Sequence, residues 1–164
     1  MNVRRIIAIA LLALLIMNAI IVANAEVDLE SVLSQYNEYA GLFGAPELDP
    51  DKAELRSSPL RPYIAEVVLD GITITFTSKD GSRIDGGICK CTDETQLGDY
   101  FAYCTTLGIY LFGVPQASAL TSSILFDYLM QRGGNETTPS LGPDGGAYQM
   151  TYEDGAYLFV ISAK

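Results

Sequence analysis

Three cysteines are the residues whose types and spacing most directly suggest chemistry. Cys89 and Cys91 are separated by Lys90 alone, and Cys104 follows further along the chain. On a strand, Cys89 and Cys91 would point to the same face, because successive strand residues alternate sides. In an oxidising compartment we expect one disulfide, which joins Cys104 to either Cys89 or Cys91, and one remaining thiol. The alternative for the remaining thiol is a covalent homodimer.

Other cysteine chemistry is disfavoured. A structural zinc site takes four ligands, and the chain has no histidine that could complete a set of three cysteines. The Cys-Lys-Cys spacing also differs from the Cys-x-x-Cys pair of thiol oxidoreductases. We therefore expect no metal and no cofactor.

The absence of histidine also limits catalysis. It excludes Ser-His and Cys-His nucleophiles, histidine metal ligands and a histidine pH switch. The sequence contains no nucleophile elbow, P-loop or dinucleotide fingerprint. A non-catalytic role is therefore favoured. A carboxylate-dependent extracellular hydrolase is an alternative, since the separation of two carboxyl groups in space decides that chemistry.

Three further patterns indicate binding or modification. The triplet Asn135-Glu136-Thr137 is an N-glycosylation sequon in a predicted loop, so Asn135 is a candidate acceptor. The acidic group at residues 49–54 lacks the order of an EF-hand, which favours a solvated loop over a calcium site. An aromatic stripe favours packing between strands, with a carbohydrate or peptide platform as the alternative. Its members are Tyr148, Tyr152, Tyr157 and Phe159.

The N-terminus predicts export. Arg4 and Arg5 precede an apolar run over residues 6–22, and Ala23-Asn24-Ala25 follows as a small-x-small cleavage pattern. This order is typical of a signal peptide over residues 1–25 that is cleaved after Ala25. The alternative is an uncleaved anchor, because about 20 apolar residues can span a bilayer. The expected location is secreted or extracytoplasmic, in a periplasm or at the cell surface, with membrane attachment only in the uncleaved form.

The charge balance disfavours nucleic acid as a partner. The full chain has a net charge of −10, and removal of Arg4 and Arg5 would make the exported chain more acidic. Affinity for nucleic acid depends on neutralisation of phosphates by Lys and Arg. The expected partner is an unidentified protein or small molecule.

Hydrophobic periodicity predicts an α+β domain over residues 26–164. Helices are predicted at residues 26–43 and 115–132, and hairpins pair residues 72–77 with 83–91 and 147–152 with 156–162. Residues 45–58 and 135–146 are predicted as loops. Residues 59–70 are predicted as a helix capped by Ser58, although Val67 and Val68 also suit a strand. Residues 92–107 have helical spacing but strand composition at residues 100–105, and a helix is favoured. Residues 109–114 are predicted as a strand. The prediction is thus an antiparallel sheet of about four to six strands packed with two to four helices.

The sequence therefore favours an exported small domain with a non-catalytic binding or structural role at the cell surface. A carrier of a lipid or another apolar ligand is a second hypothesis. It requires a cavity between the sheet and the helix at residues 115–132.

Overall fold

A computed structural model describes residues 27–164. They form an antiparallel sheet with three α-helices, so the predicted α+β class is confirmed. The sheet has seven strands, which corrects the predicted four to six. The signal peptide or anchor predicted at residues 1–25 lies outside the described residues. Within residues 27–164, none of the helices has both the length and the apolar character needed to span a bilayer.

Helices and strands follow one another along the chain in groups. One helix precedes a four-strand meander, two helices follow it, and three strands complete the chain. In chain order they are α1 (Leu29–Phe43), β1 (Ala53–Ser58), β2 (Arg61–Val68), β3 (Ile72–Ser78), β4 (Gly86–Cys91), α2 (Leu97–Phe112), α3 (Ala117–Arg132), β5 (Ser140–Leu141), β6 (Ala147–Glu153) and β7 (Ala156–Ser162).

The sheet order is β1-β2-β3-β4-β7-β6-β5. The first four strands run inward from one edge, and the last three run inward from the other. The two halves meet where β4 pairs with β7, with Cys89 opposite Phe159. The pair α2 and α3 connects β4 to the far edge, so the short strand β5 and strand β6 form that edge.

Alternation along the strands explains why the helices cover one face. In β3 the apolar residues Ile72, Ile74 and Phe76 are buried, whereas the threonines between them are only partly buried. Strands with one apolar face must bury it against another layer. The helices supply that layer, and their buried side chains join those of the strands in one core cluster.

Residues 59–70 contain strand β2, and the predicted helix there is wrong. The Ser58 hydroxyl does accept a backbone N–H, but from Arg61 at 3.1 Å, in the turn that connects β1 to β2. Tyr63, Ala65 and Val67 are buried at alternate positions. Burial at every second residue is the pattern of a strand with one face against the core, and the β-branched Val67 suits that position.

The predicted strand at residues 109–114 is also wrong, because α2 continues through Ile109 to Phe112. The helix ends at Gly113, whose φ of 89° and ψ of 159° fall in a region that glycine alone adopts readily. The predicted helix at residues 92–107 is correct in type, although it begins at Leu97.

Both predicted loops contain a short strand. Strand β1 lies within residues 45–58, and β5 lies within residues 135–146. Both strands are at sheet edges; β1 exposes all its side chains except Ala53, and β5 exposes Leu141. They lack the alternation of apolar and polar residues that marks a half-buried strand in a sequence.

Candidate functional site

The cysteines form a buried cluster between the sheet and α2. Cys89 and Cys91 point from β4 toward the helices, and Cys104 of α2 is fully buried above them. Cys89 and Cys104 are both 0% exposed and belong to the same core cluster. The Cys91 thiol donates to the Asp93 carbonyl at 3.1 Å. The fold therefore gathers all three cysteines in one core cluster, and the Cys91 thiol has a backbone carbonyl as its hydrogen-bond partner.

All three cysteines are free thiols in this structure, so the disulfide predicted from the sequence is not present. Burial raises the pKa of the Cys91 thiol, and it raises the pKa of the Cys104 thiol well above the ordinary value. Only the thiolate attacks electrophiles or binds metal ions. The raised pKa values of Cys91 and Cys104 therefore favour the thiol form, which is the less reactive one. Within residues 27–164, no group of three or more His, Cys, Asp or Glu side chains is placed to hold a metal ion.

The acidic residues near β1 make ordinary structural contacts. The Asp49 carboxylate accepts the Asp51 backbone N–H at 3.0 Å and so caps a short helical turn. Glu54 forms an exposed ion pair with Arg56 at 2.9 Å. The structure therefore does not bring these carboxylates together as a calcium site.

The aromatic stripe divides into a buried part and an exposed end. Tyr148, Tyr157 and Phe159 are buried, as expected for packing between the layers. Tyr152 is 45% exposed, and its ring lies 4.6 Å from the ring of Tyr157, centroid to centroid. Tyr152 alone among the four therefore presents an aromatic surface to solvent, beside the buried ring of its cross-strand partner Tyr157.

The outer edge of β6 explains what surrounds Tyr152. The Met150 N–H donates to the buried Asp127 carboxylate at 3.3 Å, and the Met150 carbonyl accepts the Thr137 hydroxyl at 2.7 Å. Backbone groups of alternate residues on a strand point to the same side. Residues 148, 150 and 152 therefore direct their N–H and C=O groups away from β7. Tyr148 is opposite Ser140 of β5, whereas within residues 27–164 no strand lies opposite Tyr152 on this side.

An open groove of about 440 Å³ lies beside this edge. Its walls come from the end of α3, the loop after it and strand β6. None of the lining residues is basic, and all except Tyr152 have amide, hydroxyl or carboxylate side chains. They are Gln131, Glu136, Thr137, Gln149, Thr151, Tyr152 and Glu153. We call this feature the edge groove.

Thr137 orients the two amide side chains of the edge groove. Its carbonyl accepts the Gln149 Nε2 at 2.6 Å, and its hydroxyl oxygen accepts the Gln131 Nε2 at 3.2 Å. A side chain held by such contacts loses less freedom when a ligand binds. The groove is therefore partly preorganised in the protein without ligand.

The sequon lies at the margin of the edge groove. Asn135 is exposed, and its side-chain amide donates to the Met130 carbonyl at 3.4 Å. Glu136 and Thr137, the other two residues of the triplet, line the groove itself. Sequence reasoning singled out this triplet for glycosylation and did not predict the groove.

Two of the other recesses within residues 27–164 lie against the helices. One of about 440 Å³ lies between α1, the β3–β4 turn and the end of α2. Val27, the first described residue, is one of its lining residues. The other, of about 230 Å³, lies beside Phe43 and Phe101. Both are also lined by aromatic and polar side chains, but neither borders the β6 edge of the sheet as the edge groove does.

Comparison of the chain with protein-family models, with curated protein sequences and with solved structures finds no match. What the edge groove can bind therefore follows from its own residues.

The carboxyl group of Asp127 makes the stability of this edge depend on pH. The residue is 5% exposed, and burial raises its pKa above the ordinary value, although the bond from the Met150 N–H opposes this. At a pH between the unfolded and the folded pKa, Asp127 therefore keeps its proton in the folded protein and releases it in the unfolded chain. The contribution of Asp127 to stability is full below its unfolded pKa of about 4 and is lost as the pH rises through the folded pKa.

We therefore expect Asp127→Asn, which keeps an oxygen acceptor for Met150, to gain stability relative to the unsubstituted protein as the pH rises from about 4 to 7. Urea unfolding at a series of pH values would measure this. The control is Asp51→Asn, because Asp51 is exposed. A constant difference between Asp127→Asn and the unsubstituted protein across this range would contradict the prediction.

Proposed function

We propose that this protein is exported and acts outside the cytoplasm as a non-catalytic binding domain, with the edge groove as its ligand site. The observation that supports binding is the exposed Tyr152 ring beside an unpaired strand edge in an open, polar groove. Ligand sites typically combine a concave surface with a few placed polar groups. Export is supported by the sequence of residues 1–25 alone.

The groove residues favour binding over hydrolysis. Glu136 and Glu153 both line the groove, so they are the carboxylates that a hydrolase would use there. Both are exposed to solvent. The general acid of a glycosidase is held in its protonated form by burial or by a neighbouring charge. The hydrolase alternative therefore has a pair of carboxylates but not the environment that would activate one of them.

The packing of α3 disfavours the carrier alternative, which requires an open cavity between the sheet and this helix. Leu120 and Ile124 of α3 are buried in the core cluster, and Asp127 contacts the backbone of β6. The space between the sheet and α3 is thus occupied by the protein itself.

Export would also set the state of the cysteines. We propose that Cys89 and Cys104 form the disulfide, since both are buried in the same core cluster and the Cys91 thiol is already hydrogen-bonded to the Asp93 carbonyl, and that Cys91 stays reduced. Each thiol loses a proton and one electron as the S–S bond forms. The oxidant is the disulfide of a thiol oxidoreductase, which is reduced to a dithiol. Because Cys91 is buried, a covalent homodimer through Cys91 would require the fold to open.

The intact mass of the protein secreted by its own cells tests export and oxidation together. We expect a mass that lacks residues 1–25 and is lower by two hydrogens, with peptide mapping that places the bond between Cys89 and Cys104. The same chain produced without residues 1–25 in a reducing cytoplasm is the control and should keep all three thiols. A mass that includes residues 1–25 would contradict cleavage. Three thiols in the secreted form would contradict oxidation.

A further inference from the structure

We propose that the edge groove binds a neutral saccharide. This inference rests on the proposed binding function and names the class of ligand. It is carried by three features of the groove: an aromatic ring of fixed position, polar groups of both hydrogen-bonding types, and the absence of basic side chains among its lining residues.

The Tyr152 ring supplies an apolar surface of the size of one sugar ring. Sugars present faces of C–H groups, and such faces pack on aromatic rings whose π-systems are negative. The Tyr152 ring packs against the buried Tyr157 ring, and the two ring centroids are 4.6 Å apart. The exposed ring therefore does not have to be ordered when the sugar binds, which lowers the entropic cost of association.

The polar groups match sugar hydroxyls, each of which can both donate and accept. Carboxylate oxygens of Glu136 and Glu153 accept hydrogen bonds, and the Thr151 hydroxyl does both. Gln149 uses its Nε2 within the protein, which leaves its carbonyl oxygen as an acceptor. The outward N–H and C=O of Tyr152 add a donor and an acceptor beside the ring.

The strand edge disfavours an extended peptide as the occupant. A peptide that adds to a sheet edge pairs with several alternate residues of the edge strand. On β6, Tyr148 is already opposite Ser140, and both backbone groups of Met150 are bonded to Asp127 and Thr137. Tyr152 is the one residue of these three whose outward backbone groups have no partner. The edge therefore offers a single pairing position, which suits a compact ligand better than an added strand.

Charge selects against acidic ligands. Two carboxylates line the groove and no Lys or Arg does, so a phosphate, a sulfate or an acidic sugar would be repelled without compensation. A neutral sugar can instead donate its hydroxyls to these carboxylates, in hydrogen bonds that the negative charge strengthens.

The test is a titration of the secreted, 15N-labelled protein, made without glycosylation, followed by NMR. The probes are neutral tetrasaccharides of α1,4-glucose, β1,4-glucose and β1,4-N-acetylglucosamine. We expect at least one to shift the Tyr152 backbone signal and the Gln131 and Gln149 side-chain signals. We expect Tyr152→Ala to weaken that affinity about tenfold or more. Tyr152→Phe should retain it, as should Tyr39→Ala, which alters a partly exposed tyrosine outside the groove.

Two further probes separate failure of the saccharide proposal from failure of the binding function. These are CaCl2 and a pentalysine peptide. Shifts at the groove with either probe but with no saccharide would overturn the saccharide proposal and leave a binding site for cations. The absence of shifts with all five probes would overturn both proposals. Release of shorter sugars during the titration would overturn the non-catalytic function.

Discussion

Replacement of Phe76 by alanine is expected to lower the free energy of unfolding by about 3–5 kcal/mol. Phe76 of β3 is 0% exposed and lies where α1 and α2 meet the sheet. Its ring centroid is 5.4 Å from that of Tyr36 and 5.9 Å from that of Tyr110, both in edge-to-face geometry. The substitution removes buried apolar area, two aromatic contacts and the volume that keeps the layers packed.

The matched control is Phe126→Ala on α3. Phe126 is 60% exposed, so its loss should change stability by about 0.5 kcal/mol or less. Urea unfolding of both variants, followed by circular dichroism, provides the comparison. Similar losses in the two variants would contradict the arrangement of helices on the Phe76 face of the sheet.

The second large effect is expected from the disulfide. A bond between Cys89 and Cys104 closes a loop of about 15 residues, which in the chain-entropy model adds about 3 kcal/mol to the stability of the oxidised protein. The bond would join β4 near the centre of the sheet to the middle of α2. Reduction should therefore lower the urea midpoint of the secreted protein.

Two single variants identify the bonded pair. Cys91→Ala should keep the difference between oxidised and reduced protein, because the Cys91 thiol is hydrogen-bonded to the Asp93 carbonyl and is proposed to stay reduced. Cys104→Ala should abolish it. If Cys91→Ala also removes the difference, then Cys91 and not Cys89 is the partner of Cys104.

The parts of the fold that were predictable have local causes. The β3–β4 and β6–β7 hairpins alternate apolar and polar residues, and Gly81 and Gly155 in their turns have positive φ. Helix α1 begins where the Asp28 carboxylate accepts the Ser31 N–H at 3.0 Å and ends at Gly44 with φ of 70°. Each of these signals lies within a few residues of the structure that it specifies.

The errors arose where local signals conflict with distant partners. Ser58-Pro59 has the composition of a helix start, yet it forms a turn because β2 has β3 to pair with on one side and β1 on the other. Strand β1 has little pattern of its own, and it exists through that pairing at the sheet edge. Residues 109–112 are apolar enough for a buried strand, but they extend a helix that is itself buried.

The site was predictable only in part, for the same reason. The sequence placed Cys89 and Cys91 on one strand face but did not decide between them, because the choice depends on where α2 crosses the sheet. The edge groove combines residues from α3, the following loop and β6. The aromatic stripe pointed to Tyr152, and only the three-dimensional packing separates it from its buried neighbours.

The contact between Thr137 and Met150 has a consequence for the timing of modification. A transferase that modifies Asn135 reads the hydroxyl of the third residue of the triplet, and in the folded protein that hydroxyl is hydrogen-bonded to a strand carbonyl at 2.7 Å. If Asn135 is glycosylated, transfer would therefore be favoured before the β6 edge closes during biosynthesis. The fraction of chains modified at Asn135 would then depend on how long each newly made chain remains open.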